Sequence, residues 1–274
     1  MTSRKLDEFD PLDDFTPRTI TLDGITKVVQ VSGSGPAVIV MPELPGISPY
    51  MARFARWVRE AGFTVYMPSL YGRDGDPSSL EATQEIFRKI CVSAEFHAFA
   101  GAGSSPVTQW LRALARQAHA ECGGPGVGAI GMCFSGNFAL SMMLEPVMLA
   151  PVLAQPSLPI DDPARLESSD EELARIKARL DRDGLDVLAY RFAGDRICQA
   201  QRFAAYQRAL GERFIARELP DNAANQEVPE FFEKVVQTPH SVVTVHLIDE
   251  AGQPTRSARD EILAFFRQKL VNGA

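Results

Sequence analysis

Short apolar runs alternate with stretches of helical periodicity along most of the chain. The runs that predict strands are residues 19–22, 26–31, 37–41, 64–67, 126–132, 147–152, 186–192 and 214–219. The stretches that predict helices are residues 50–61, 80–97, 108–121, 138–144, 169–182, 201–211 and 258–270. The first two strands indicate a hairpin. The later strands are predicted to be parallel, because strands separated by helices cannot be joined by tight turns.

This alternation predicts an α/β fold with a doubly wound, mostly parallel sheet in a single domain at residues 17–274. Residues 1–16 are acidic and lack periodicity, so we expect an N-terminal tail that wanders or drapes over the surface. Two segments, at about 155–185 and 221–239, are predicted insertions over the carboxyl edge of the sheet. Ligands bind at that edge in open α/β folds.

Composition excludes several functional classes. The net charge of -7 and the lack of basic clusters argue against nucleic acid or an anionic membrane as a partner. The sequence has no long apolar run and no apolar signal core near its start, so we expect a cytoplasmic protein without a membrane span. The four cysteines lack CxxC spacing, and no HxxEH-like motif occurs. We therefore expect reduced thiols, no metal and no cofactor; the oligomeric state stays open.

Residues 131–136, with the sequence Gly-Met-Cys-Phe-Ser-Gly, place a thiol where a buried strand turns into a helix. An α/β-hydrolase holds its nucleophile at such an elbow, which needs small residues two positions before and after the nucleophile. Gly131 and Ser135 meet this requirement around Cys133. The other interpretation is a buried thiol packed as a small hydrophobic group.

A cysteine nucleophile needs a base and an acid that orients the base, and in this fold they follow in the order Asp, then His. Asp195 directly follows a predicted strand, although an Asp there is also typical of a turn or helix cap. Chain order excludes His97 and His119 as the base. His240, in a turn-like segment, is favoured over His246, which lies in the apolar run 242–248.

The segment after the first buried strand is the second functional element. Leu44 follows that strand, and the N–H groups of Leu44 and Phe134 are the predicted oxyanion hole. Glu43 precedes Leu44. A carboxyl group in an apolar pocket beside a thiol has its ionisation disfavoured by desolvation, so Glu43 is predicted to hold the thiol proton at rest. The alternative is a Glu that caps the following turn.

With these residues in this order, the chain resembles the dienelactone hydrolase family, α/β-hydrolases that use Cys in place of Ser. The family's G-x-C-x-G-G elbow matches residues 131–136 except at Ser135, and its Glu-containing loop matches residues 43–46. The likeness covers residues 28–270 and leaves the tail and the two insertions unmatched.

The resemblance implies hydrolysis of a small ester or enol-lactone through a thioester. Cys133 would attack the carbonyl, His240 would act as base and acid, and Asp195 would orient the imidazole. The family also implies that Glu43 keeps the thiol protonated until substrate arrives.

Family members bind the substrate carboxylate with two arginines. Arg73, two residues after Tyr71, matches the first, whereas position 244 holds Thr in place of the second. A hydroxyl cannot replace a bidentate guanidinium, so the substrate is a neutral or differently placed ester, or another cation such as Arg196 takes part. The alternative function is a non-catalytic or redox-sensing protein of the same fold, with Cys198 as the resolving thiol.

Overall fold

The computed structural model describes residues 4–93, 95–96 and 103–272. Its centre is an eight-stranded sheet in the order β1-β2-β4-β3-β5-β6-β7-β8. The strands are β1 (Thr16–Leu22), β2 (Ile25–Gly33), β3 (Ala37–Met41), β4 (Thr64–Pro68), β5 (Val127–Met132), β6 (Met148–Ala154), β7 (Val187–Phe192) and β8 (Phe214–Leu219). The pairs from β4 through β3 to β8 are parallel, so the predicted mostly parallel α/β sheet is confirmed.

The predicted opening hairpin is also confirmed. Asp23 and Gly24 connect β1 to β2, and both have positive φ, at 50° and 80°. A two-residue turn of this kind matches the twist of antiparallel strands, and Asp-Gly is among the sequences that favour it. Strand β2 then pairs antiparallel with β4 and so attaches the hairpin to one edge of the parallel sheet.

Helices cover both faces of the sheet. They are α1 (Pro49–Glu60), α2 (Leu80–Cys91), α3 (Pro106–Cys122), α4 (Phe138–Ser141), α5 (Asp170–Asp183), α6 (Ala200–Leu210) and α7 (Pro254–Leu270). Serine side chains cap several of them; Ser169, for example, accepts a hydrogen bond from the N–H of Glu172 in α5. Gly184, in the left-handed conformation, ends that helix.

The predicted helix 80–97 is wrong beyond residue 91. Ser93 Oγ accepts the N–H of Glu95 at 3.2 Å, a local side-chain bond that competes with helical hydrogen bonding. Within that stretch, residue 94 and His97 lie outside the described residues.

The central strands are buried on both faces, as expected for a doubly wound sheet. Every residue of β3 and β5 is buried. Because side chains alternate along a strand, Ile39 packs into the core under α3, whereas Val38 and Val40 pack into the core under α1 and α7.

The described part of the N-terminal tail lies along α1. Leu12 and Phe15 are buried, and the Asp10 carboxylate pairs with Arg56 at 2.6 Å. Asp14 pairs with Arg56 at 2.7 Å and with Arg59 at 2.8 Å. Of the two conformations that the sequence left open, the structure therefore shows the tail draped on the domain. Among the described residues, no helix combines the length and apolar character needed to cross a membrane.

Candidate active site

The turn from β5 into the following helix is a tight elbow with Cys133 at its tip. Cys133 has a φ of 52°, in the left-handed region that L residues rarely adopt. A Cβ on Gly131 would lie 2.0 Å from the carbonyl oxygen of Ser135, and a Cβ on Gly136 would lie 2.5 Å from Cα of Pro156. Both glycines are therefore required by close backbone approach, which the elbow predicts for Gly131.

Ser135 links the elbow to the end of β3. Its hydroxyl donates to the carbonyl of Pro42 at 2.9 Å and accepts the N–H of Met132 at 3.0 Å. The elbow motif requires only a small residue at position 135 and does not predict these bonds. The family pattern has glycine at this position. Glycine has no side chain that could form either bond, so the hydrogen bonds to Pro42 and Met132 depend on the serine.

Asp195 and His240 form the next part of the site. Nδ1 of His240 lies 2.7 Å from Oδ2 of Asp195, and both side chains are buried. Oδ1 of Asp195 accepts the N–H groups of Ile197 at 2.9 Å and Cys198 at 3.1 Å. Burial alone would raise the pKa of Asp195, but His240 and the two N–H donors outweigh it and lower the pKa. Asp195 is therefore held as a carboxylate.

His240 and Cys133 line one cavity together. Burial lowers the pKa of His240, whereas Asp195 and the nearby sulfur raise it, and the net pKa is well above the usual histidine value. Within the described chain, Nε2 of His240 has no hydrogen-bond partner of ordinary geometry. The hydrogen bond between a catalytic base and its nucleophile is often long before substrate binds.

Ser157 is a neighbour of the thiol that no sequence motif predicts. Its hydroxyl lies 3.6 Å from Sγ of Cys133, and its N–H donates to the carbonyl of Cys133 at 3.0 Å. Ser157 lies in the segment after β6, one of the two predicted insertions. No local sequence signal marks this residue, because the contact depends on how two loops meet.

Glu43 is buried at the wall of the same cavity. Its carboxylate accepts hydrogen bonds from Ser241 Oγ at 2.6 Å, from Gln155 Nε2 at 3.2 Å and from the hydroxyl of Thr244. Burial raises the pKa of Glu43, and the three donors offset only part of that effect. Cys133 is not among the hydrogen-bond partners of Glu43 in the described chain. The hydroxyl of Thr244, which stands where the family has its second arginine, is thus bonded to Glu43.

His246 lies beside the site in a supporting position. Its Nδ1 accepts the N–H of Ser241 at 3.1 Å, and its ring packs edge-on against Phe192 and Phe232. Burial lowers the pKa of His246 to about 3, so the ring is neutral and suited to accept that bond. The run around His246 forms turns and no strand, since the N–H of His246 bonds back to the carbonyl of Ser241.

The predicted substrate-binding pair lies elsewhere. The side chain of Arg73 is 76% exposed, lies over the ring of Phe9 and is 3.8 Å from Asp76. The hydroxyl of Tyr71 donates to the carbonyl of Pro42, and its ring is buried against Phe134. Neither is among the described residues that line the cavity, so the structure gives no support to a substrate-binding role for either.

The cavity has a volume of about 650 Å³. Leu44 and Phe134, the predicted oxyanion-hole residues, line it together with Cys133. Arg196, named above as an alternative cation, also lies in its wall, as do Arg88 and Arg202. The two Nη atoms of Arg202 are occupied, since they donate to backbone carbonyls such as that of Pro159 at 2.7 Å, whereas its Nε has no partner among the described residues.

Cys198 does not have the properties of a resolving thiol. The residue is fully buried, and burial raises the pKa of its thiol well above the ordinary value. Because the thiolate is the reactive form, this placement disfavours the redox-sensing alternative.

The sheet order, the elbow after β5 and the Asp and His that follow it define an α/β-hydrolase fold. The sequence matches the model of the dienelactone hydrolase family over residues 25–177, more than half of the chain. The chain belongs to the dienelactone hydrolase family.

Individual relatives are distant. A carboxymethylenebutenolidase of Pseudomonas sp. is 29% identical over 117 residues, which are 41% of this chain and 46% of that protein. The chain thus spans about half the length of this curated relative.

Solved structures match over more of the chain. A dienelactone hydrolase-like promiscuous phosphotriesterase from metagenomic libraries has a TM-score of 0.61 at 19% identity, covering 92% of this chain and 98% of that one. The dienelactone hydrolase of Anabaena variabilis has a TM-score of 0.59 at 12% identity, covering 93% and 98%. Likeness at these identities shows the shared fold.

Proposed function

We propose that this protein hydrolyses a carboxylic ester or lactone through a triad of Cys133, His240 and Asp195. The observation that carries the proposal is the 2.7 Å contact between His240 and Asp195 beside a cavity that Cys133 also lines. Membership of the dienelactone hydrolase family supports the same reaction class. A nucleophile, a base and an orienting acid are the parts that covalent acyl transfer requires.

The first half-reaction forms a thioester. His240 takes the thiol proton, and the Cys133 sulfur forms a bond to the substrate carbonyl carbon. The N–H groups of Leu44 and Phe134 receive the negative charge that develops on the carbonyl oxygen. The carbon–oxygen ester bond then breaks, and the leaving alkoxide takes the proton from His240. In a lactone, that alkoxide stays attached to the acyl group.

The second half-reaction regenerates the thiol. His240 removes a proton from a water molecule, the resulting oxygen attacks the thioester, and the sulfur leaves and regains the proton. Asp195 orients the imidazole and stabilises its charged form in both halves. The raised pKa of His240 and the lowered pKa of Asp195 support a positively charged imidazole beside an ionised carboxylate.

Glu43 takes the role of keeping the thiol protonated before substrate binds. Its location on the cavity wall and its raised pKa support this assignment. In the arrangement described here the carboxyl group is bonded to Ser241, Gln155 and Thr244. It must therefore break one of these bonds before it reaches the sulfur.

The experiment that tests the proposal compares two cysteine variants on p-nitrophenyl acetate. Cys133→Ala is expected to remove turnover and the acyl group that mass spectrometry detects on the enzyme. Cys122→Ala, which changes another partly exposed thiol outside the cavity, is the matched control. Full turnover in Cys133→Ala would refute the triad.

A further inference from the structure

The mouth of the cavity is lined by large apolar side chains that remain in contact with solvent. Phe87, Ile160, Ile197 and Val235 line the cavity and are 38%, 37%, 37% and 47% exposed. We call these four residues the apolar rim. They are half of the large apolar side chains that are exposed in the described chain; the others are Phe9, Val28, Val92 and Val271.

The rim is assembled from separate parts of the chain. Phe87 lies on α2, Ile160 in the loop after β6, Ile197 in the loop after β7, and Val235 in the helical turn Phe232–Val236. The convergence of these four segments on one opening is therefore a property of the tertiary structure. An exposed apolar patch costs free energy in water, and such patches in soluble proteins mark binding surfaces.

Further apolar side chains line the cavity. Besides the rim and Cys133, the cavity is lined by the apolar side chains of Leu44, Phe134, Phe231, Phe232 and Val236. Among the polar groups that line it, Glu43 is held by three donors and Arg202 by backbone carbonyls, whereas Nε2 of His240 has no partner among the described residues. A volume of about 650 Å³ falls in the range that buries most of a drug-sized ligand.

We infer that the substrate is an ester with an extended apolar group that runs from Cys133 along the cavity to the apolar rim. This inference rests on the proposed function and adds the substrate class. The apolar group gains its binding free energy by covering side chains that water otherwise contacts. It belongs either to the acyl part or to the alcohol part of the ester.

The test measures hydrolysis of three neutral esters by titrating the released acid. Methyl butyrate is the short substrate, and the isomers methyl octanoate and heptyl acetate carry the long chain on the acyl and the alcohol side. We expect kcat/KM for one long ester to exceed that for methyl butyrate by at least about tenfold, since a methylene group in an apolar pocket is worth about tenfold or more. The better isomer identifies the side that carries the apolar group.

Variants of the apolar rim test whether these residues cause the preference for long esters. Val235→Ser and Ile160→Ser are each expected to lower the ratio of long-ester to short-ester kcat/KM by about tenfold, mainly through a higher KM. Val271→Ser removes a valine of similar exposure, 53%, that does not line the cavity, and should leave the ratio unchanged.

Equal kcat/KM for short and long esters, with turnover present, overturns the inference and leaves the triad proposal intact. An unchanged ratio in both rim variants also overturns it. Absence of turnover with every ester, together with absence of acylation at Cys133, overturns the proposed function and this inference with it.

Discussion

The hydroxyl of Ser241 donates a 2.6 Å hydrogen bond to the Glu43 carboxylate, although 198 positions separate the two residues. This bond joins the residue after His240 to the segment that follows β3. Thr244 donates to the other oxygen of the same carboxylate. Glu43 therefore anchors the loop that presents the imidazole, in addition to its place on the cavity wall.

Replacing Thr244 tests this anchoring. Thr244→Val keeps the shape of the side chain but removes a donor to a buried carboxyl group, so we expect the free energy of unfolding to fall by about 1–3 kcal/mol. Urea denaturation measures the change. Thr26→Val is the matched control, because its hydroxyl bonds Thr21 at an exposed position. Equal stability of the two variants would contradict an anchoring role.

The two histidines near the site are expected to respond differently to substitution. His240→Ala removes the proposed base and should lower kcat by about three orders of magnitude or more. His246→Ala should keep much more of the turnover while losing stability, because the N–H of Ser241 loses its acceptor. Steady-state kinetics and thermal denaturation of both variants give the comparison. A greater loss of kcat in a folded His246→Ala protein would reverse the assignment.

Asp195 is expected to act through the orientation of His240. Asp195→Asn keeps the size of the side chain, and by analogy with serine triads kcat should fall about 10⁴-fold with the fold intact. Circular dichroism checks the fold, and p-nitrophenyl acetate hydrolysis gives kcat. Asp186→Asn changes the aspartate directly before β7, the strand that Asp195 follows, and serves as control. Similar kinetics for the two variants would remove Asp195 from the triad.

A buried carboxyl group outside the active site gives a pH dependence of stability. Glu167 accepts hydrogen bonds from Asn137 and Ser141, while its Oε1 has no partner among the described residues. Burial raises its pKa from 4.5 to about 7. Between these values the folded protein binds more protons than the unfolded chain, so stability falls as pH rises and levels off above the folded pKa.

The corresponding measurement is urea unfolding of wild type and Glu167→Gln at pH 5 and pH 8. A pKa difference of this size corresponds to about 3 kcal/mol. Part of this loss occurs below pH 5, so we expect the wild type to lose about 2 to 3 kcal/mol more stability between the two pH values than the variant. Glu250→Gln, at an exposed position, should follow the wild type. Parallel pH profiles for wild type and Glu167→Gln would refute the prediction.

Most strands and helices could be predicted from the sequence because each rests on a local pattern. The predicted strand 37–41 coincides with β3, since an unbroken apolar run is what two-sided burial requires. The predicted helix 80–97 runs past the observed end at Cys91, because the apolar period continues while the N–H of Glu95 bonds the Ser93 side chain in place of a helical carbonyl. Hydrophobic periodicity carries no information about such a side-chain to backbone hydrogen bond, so it cannot predict where the helix ends.

The sequence by itself determined the α/β class, the elbow around Cys133 and the order of the candidate acid and base. These follow from periodicity, from glycine's lack of a Cβ and from chain order, all of which are visible in one dimension. Only the tertiary structure decided that Asp195 meets His240, that Thr244 bonds Glu43 and that Arg73 lies away from the cavity. The physical reason is that such contacts join residues far apart in the chain, and packing alone fixes which side chains meet.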